Sequence, residues 1–200
     1  MTRQTTADGR TLIVRPAVGA DARAVSAMID AVAAEPDVPL LATPGSISLR
    51  DVKTLIGRSQ RDPRGAFLVA EVDGVIAGNL GGAGLAFAPS AHVFEVGMSV
   101  AAAYRGLGVG SALLETVVGW AADAGFAKVV LSAFPHNERA IAFYQRHGFT
   151  FEGRRARQFR REERYYDEVL MGRLIGALAG ESRTASGWPP AATSGGSDGA

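Results

Sequence analysis

From His92 to Phe134 the chain changes its hydrophobic period twice, and few folds accommodate that. "HVFEVGMSV", His92 to Val100, places Phe94, Val96, Met98 and Val100 on one face and Glu95, Gly97 and Ser99 on the other, the period of a strand. Leu113, Leu114, Val117, Val118 and Ala121 then recur at helical spacing, which predicts a helix from about Gly108 to Ala124. "KVVLSAF", from Lys128, returns to a strand, apolar enough to expect burial on both faces. Such a strand-helix-strand unit requires a parallel pair joined by a right-handed crossover.

The remaining elements are arranged around this unit. "TLIVRPA" predicts a strand from Thr11 to Arg15, and Asp21 is placed to cap a helix running to about Ala34. The proline-bearing loop "EPDVPLLATPGS" leads to a second helix, Leu49 to Ser59. Ala66 to Val72 and Val75 to Gly81 form a hairpin around an Asp73-Gly74 turn. "HNERAIAFYQRHGF" predicts a short helix ended at Gly148, and two strands follow, Thr150 to Gln158 and Tyr165 to Leu174. The expected fold class is α/β (α+β): one domain with a mixed, largely antiparallel twisted sheet of about seven strands, a central parallel pair and about four flanking helices. That domain is expected over 11–176, after a flexible polar tail at 1–10 and before a disordered Gly/Ser/Pro/Ala tail at 177–200.

Composition removes several classes of function. The 200 residues include no Cys, which excludes disulfides, thiolate metal sites and a cysteine nucleophile. His92, His136 and His147 do not have the spacing of a helical metal pair, so no metal is expected. A net charge of +1 argues against nucleic acid as a partner. No apolar run reaches the ~18 residues of a membrane span, and the start lacks the apolar core of a signal peptide, so a cytoplasmic protein is expected.

"YRGLGVGSALL" joins the strand to the helix. It lacks the third glycine spacing of a dinucleotide fingerprint and the Lys of a Walker loop. What remains is R-x-x-G-x-G, formed by Arg105, Gly108 and Gly110. Free N–H groups at a helix start can receive a pyrophosphate, glycines let it approach, and Arg105 adds charge. Together with "NERAIAFYQRHGF" downstream, this order resembles the GCN5-related N-acetyltransferase (GNAT) family over roughly Thr11 to Leu174. The resemblance implies acetyl-CoA as donor, with its pyrophosphate on the loop Arg105, Gly106, Leu107, Gly108, Val109, Gly110 and Ser111. It also implies pantetheine along the splayed strand end at Met98, Ser99 and Val100, and a cofactor contact from Asn137. "YYDEVLMGRL" is similar to the last strand of many bacterial members.

Asn137, Ile141 and Tyr144 share one helix face. Tyr144 matches the family's tyrosine facing the CoA sulfur, which implies a general acid; from the residues alone it is also a core aromatic. Asn137 alone reads equally as a helix cap. Glu95 is the candidate base, since a carboxylate inside a central strand asks for an explanation; electrostatic recognition of the amine and a purely structural role stand beside that reading. His92 is a substitute base. The run "RRARQFRREERYY" reads as a solvated, ion-paired hairpin or as a border of the acceptor site. The expected activity is acetyl transfer to a primary amine by direct attack in a ternary complex. The acceptor is read as a small amine or amino acid, with a protein N-terminus or lysine as alternative. A weakly catalytic acyl-CoA sensor is the reading from another class, and a homodimer is compatible with any of them.

Overall fold

A computed structural model describes residues 1–35, 43–161 and 163–180. Strands β1 (Thr2–Thr5) and β2 (Thr11–Pro16) are followed by helices α1 (Ala22–Ala33) and α2 (Leu49–Ser59), then by strands β3 (Gly65–Val72), β4 (Val75–Gly84) and β5 (Val93–Val100). Helix α3 (Val109–Asp123), strand β6 (Lys128–Ala133), helix α4 (Glu138–Arg146) and strands β7 (Thr150–Arg161) and β8 (Arg164–Leu174) complete it. All eight strands join one sheet in the order β1-β2-β3-β4-β5-β6-β8-β7, antiparallel except for the parallel pair β5 and β6. No helix among the described residues is long and apolar enough to cross a membrane.

Two expectations change here. The sheet has eight strands rather than about seven, because the polar N-terminal residues are not a free tail. Thr2 to Thr5 pair with Val14 to Thr11 as an edge strand, returning through a turn in which the Thr6 hydroxyl and the carboxylate of Asp8 tie down Arg10. In β6, Val129, Leu131 and Ala133 are buried while Lys128, Val130 and Ser132 are only half-buried, so one face is less covered than its composition suggested. The C-terminal residues from 181 onward, expected as a tail, and residues 36–42 of the proline-bearing loop lie outside the described residues.

The two sheet faces hold separate cores. Helix α3 covers one, packing Leu113, Leu114 and Val117 against Leu68, Ala70, Leu80, Phe94 and Val96. Burying Leu113 and Leu114 completely contributes about 1.5–3 kcal/mol each. On the other face α1 and α2 bring Val25, Ile29, Val52 and Ile56 onto Phe67 and Val69. Asp73 and Gly74 both take positive φ (47° and 84°), as a tight hairpin turn requires. Helix α3 ends as expected at Gly125 (φ 85°), with the Gly125 and Phe126 amides donating to Ala122 and Ala121 carbonyls. Asp21 precedes α1 but does not cap it with its side chain. Its carboxylate instead accepts both Nη groups of Arg15, at 2.7 and 3.0 Å, and the amide of Val18.

Candidate active site

Parallel pairing between β5 and β6 covers only Val93 to Glu95 against Lys128 to Val130. Beyond Glu95 the strands part. The Ala101 amide donates to Ala77 on the β4 side, so backbone groups of odd-numbered β5 residues face β4, and those of Met98 and Val100 turn toward the gap. Two cavities open there, one on each side of the gap.

The first has a volume of about 650 Å³ and lies on the face covered by α1 and α2. Its floor is laid by register: Asn79 opposite Ser99, Gly81 opposite Gly97 and Ala83 opposite Glu95 share that face. Gly97 leaves the floor open, since a Cβ there would meet nothing within 4 Å. Ile29, Ile47, Leu55 and Phe67 supply apolar wall, and Arg58 and Asp62 stand at the α2 end. Glu95 is exposed to this cavity and makes no hydrogen bond or ion pair among the described residues. Its carboxylate is therefore open to solvent in this cavity. Asn79 is buried on the same floor, and its Oδ1 has no hydrogen-bond partner among the described residues.

The second cavity, about 810 Å³, runs along the glycine loop. Arg105, Gly106, Gly108, Gly110 and Ser111 line it, with Val100 and α4 on the opposite side. Gly106 and Gly108 have φ of 79° and 90°, the left-handed region, and a Cβ on either would project into open space. Gly110 serves packing, because a Cβ there would come within 3.3 Å of the Phe143 ring. Leu107 and Val109, expected with the others, do not line the groove. Val109 is core, and the Leu107 carbonyl accepts the Ala7 amide.

Arg105 is not a free phosphate ligand. Its Nη1 and Nη2 donate to the two carboxylate oxygens of Glu35 at 2.6 and 2.8 Å, and its Nε donates to the Val100 carbonyl at 3.0 Å. Nothing in the local sequence signals this pairing across the molecule. Two cations of α4 that have no ion-pair partner among the described residues, Arg139 and Arg146, line the groove as well.

The two cavities meet at Met98, Ser99, Asn137, Ala140 and Tyr144, which line both. Asn137 caps α4, its Oδ1 accepting the Ala140 amide at 3.1 Å, and this leaves its Nδ2 donor for the cavities. Burial without a charged partner pushes the Tyr144 hydroxyl up to about 12, so it stays protonated at neutral pH. The ring packs against Phe143 and Phe149, at 5.3 and 5.8 Å between centroids. His92 is exposed near the start of β5 and lines neither cavity. The arginine-rich hairpin is ion-paired through Arg154–Asp167, Arg155–Glu168 and Arg160–Glu163, and it also lines neither.

A family model described as the acetyltransferase (GNAT) family matches residues 37–149. The chain belongs to the GNAT family. A mouse (Mus musculus) relative, the probable N-acetyltransferase family 8 member 5, is 34% identical over 103 residues, 50% of this chain and 44% of that protein. This GNAT chain thus matches less than half of that relative's length. A GNAT-family acetyltransferase structure from Streptococcus pneumoniae has a TM-score of 0.72 at 26% identity, covering 82% of this chain and 99% of its own. The phosphinothricin acetyltransferase of Sinorhizobium meliloti, solved in complex with acetyl-CoA, has a TM-score of 0.73 at 20% identity over 90% of this chain and 96% of its own, and so shows the shared fold.

The groove suits a coenzyme A thioester. Its strand gap offers backbone partners to an extended amide arm at Met98, and its glycine end offers open amides, Ser111, Arg139 and Arg146 to phosphates.

Proposed function

We propose that this GNAT chain is an acetyl-CoA-dependent N-acetyltransferase acting on a small primary amine. The observation that carries this reading is the meeting of the two cavities at Tyr144 and Asn137, with Glu95 alone on one side and the glycine loop on the other. Acetyl-CoA supplies a thioester-activated acetyl group. Gly106, Gly108, Gly110 and Ser111 receive its phosphates, while Met98, Val100 and Asn137 hold the arm that carries the thioester. Arg105 supports the loop from its Val100 contact and shares its charge with Glu35.

The incoming amine arrives as a cation, and the solvated carboxylate of Glu95 attracts it and takes its proton, directly or through water. Attack by the neutral amine on the thioester carbon forms the carbon–nitrogen bond and breaks the carbon–sulfur bond, and the proton that the new amide nitrogen sheds passes through water to the CoA sulfur. The Tyr144 hydroxyl then faces the departing thiolate. With its proton affinity raised, it donates a hydrogen bond and stabilises that charge rather than surrendering its proton early. The absence of Cys leaves direct attack as the simplest route.

A cavity of about 650 Å³ with apolar walls is of small-molecule size. Arg58, unpaired among the described residues, favours a substrate that carries an acidic group beside its amine, as an amino acid does, and the unpartnered Oδ1 of buried Asn79 can accept from the amine itself. The test is release of free CoA, read with a thiol dye, across amino acids, polyamines, aminoglycosides and short peptides. The protein adds no thiol background. Release only with peptides would move the acceptor to proteins. Acetyl-CoA binding without release for any amine would leave a sensor, and the enzyme reading would fall.

A further inference from the structure

His147 lies just beyond the end of α4 and reaches across to α3. Its Nδ1 is 2.8 Å from the Phe143 carbonyl and its Nε2 is 3.0 Å from the Ser111 hydroxyl. A carbonyl oxygen only accepts, so Nδ1 carries a proton in both charge states of the ring. That fixes what Nε2 does. In the neutral imidazole Nε2 is an acceptor, and the single Ser111 proton points at His147. Ser111 then shows only lone pairs to the groove. In the imidazolium Nε2 donates to Ser111 Oγ, and the Ser111 proton is released to donate into the groove.

We infer that His147 is a positioning residue that works through Ser111, so that binding of the anionic cofactor is linked to uptake of a proton by His147. The inference rests on the cofactor reading of the glycine-loop groove. An arriving phosphate favours the imidazolium twice: its negative charge stabilises the cation, and the freed hydroxyl gives it a hydrogen bond. The surroundings do not preempt this. On α3, Glu115 pairs with Arg173 of β8 at 2.9 Å, and Arg105 is held by Glu35. On and beside α4, His136, Glu138, Arg139 and Arg146 line the groove and form no ion pair among the described residues. The imidazole packs against Phe143 at 4.3 Å between centroids, with the ring planes tilted by 39°.

The signs follow from reciprocity. A ligand that prefers the imidazolium binds more tightly at low pH, and the ligand raises the pH at which His147 gives up its proton. The dissociation constant for acetyl-CoA therefore rises with pH, by up to about tenfold for each unit of that displacement.

The test is calorimetric titration of the full chain with acetyl-CoA, from pH 6 to pH 8, in buffers of different ionisation enthalpy. The 3′-phosphate of the ligand titrates in this range, so the difference between proteins carries the result. The wild type is expected to take up more protons than His147→Gln. His92→Gln, at a residue that lines neither cavity, should match the wild type. Acetyl-CoA binding with equal uptake in wild type and His147→Gln overturns the inference and leaves the cofactor reading standing. Failure of the wild type to bind acetyl-CoA removes both. A second measurement does not depend on the variant folding: with three histidines in the chain, nitrogen-15 NMR assigns each ring. Neutral His147 is expected to be protonated at Nδ1, and a proton at Nε2 overturns the inference.

Discussion

Tyr144 shows how one environment decides a side chain's chemistry. A phenol in water ionises near ~10 and a thiol near ~8.5. Held up to about 12, Tyr144 is a weak acid toward a thiolate, but a dependable donor over the whole working range. Tyr144→Phe keeps the packing with Phe143 and Phe149 and removes only the donor. It is expected to lower kcat by roughly 10²-fold with little change in acetyl-CoA affinity, measured by initial rates and binding. Because the neutral form is the one the fold favours, its contribution to stability is complete below ~10 and is lost as pH rises from there through about 12. Alkaline unfolding of the wild type should therefore lose more stability over that window than unfolding of Tyr144→Phe. Glu95 is the opposite case, a solvated carboxylate on an open floor. Glu95→Gln should reduce kcat/KM for the amine by about 10²-fold while acetyl-CoA binding is kept, and an unchanged kcat/KM would remove Glu95 from the chemistry.

At the level of elements, the spacing between β4 and β5 makes the floor of the first cavity. Gly82 sits where a Cβ would lie 2.6 Å from the Glu95 carbonyl and 2.6 Å from the Phe94 ring. Neither is a flexible chain end. Phe94 is wedged between Trp120 and Phe126 with centroids 5.1 and 5.0 Å away. Gly82→Ala must push the strands apart beside Glu95, at a cost of about 1–3 kcal/mol in urea unfolding. Activity should fall further than stability alone explains, because the carboxylate moves with its backbone. What could be read in advance at this scale was local. The Asp73-Gly74 turn, the Gly125 stop of α3 and the Gly148 stop of α4 each depend on residues adjacent in sequence. Asp21 failed as a cap for the converse reason: Arg15, fixed between it and Glu71 by the sheet, is a stronger partner than a helix amide. Strand β1 was equally hidden, since a short polar edge strand has no apolar period to show.

Across the whole molecule the least legible feature is the bridge from Glu35, just past α1, to Arg105 beside the cofactor loop, 70 positions apart. The family motif pointed to Arg105 and could not show its partner. The pair is partly buried, with 19% and 26% of the two side chains exposed, and Arg105 also holds the Val100 carbonyl at the end of β5. It therefore ties the helix that walls the first cavity to the strand that divides the two cavities. The same carboxylate also lines the groove and places a negative charge where phosphates are expected. These two roles have opposite signs. Glu35→Gln should cost about 1 kcal/mol of stability or less, as expected for a partly exposed pair. It should also tighten acetyl-CoA binding by about threefold to tenfold at low salt, because Arg105 is released and a like charge is removed from the groove. The gain should shrink as salt is added and screens the phosphates. Thermal melts and calorimetric titrations at two ionic strengths separate the effects. Weaker binding in Glu35→Gln would mean that Arg105 needs its carboxylate to stay in position, and that the bridge organises the loop rather than competing for it.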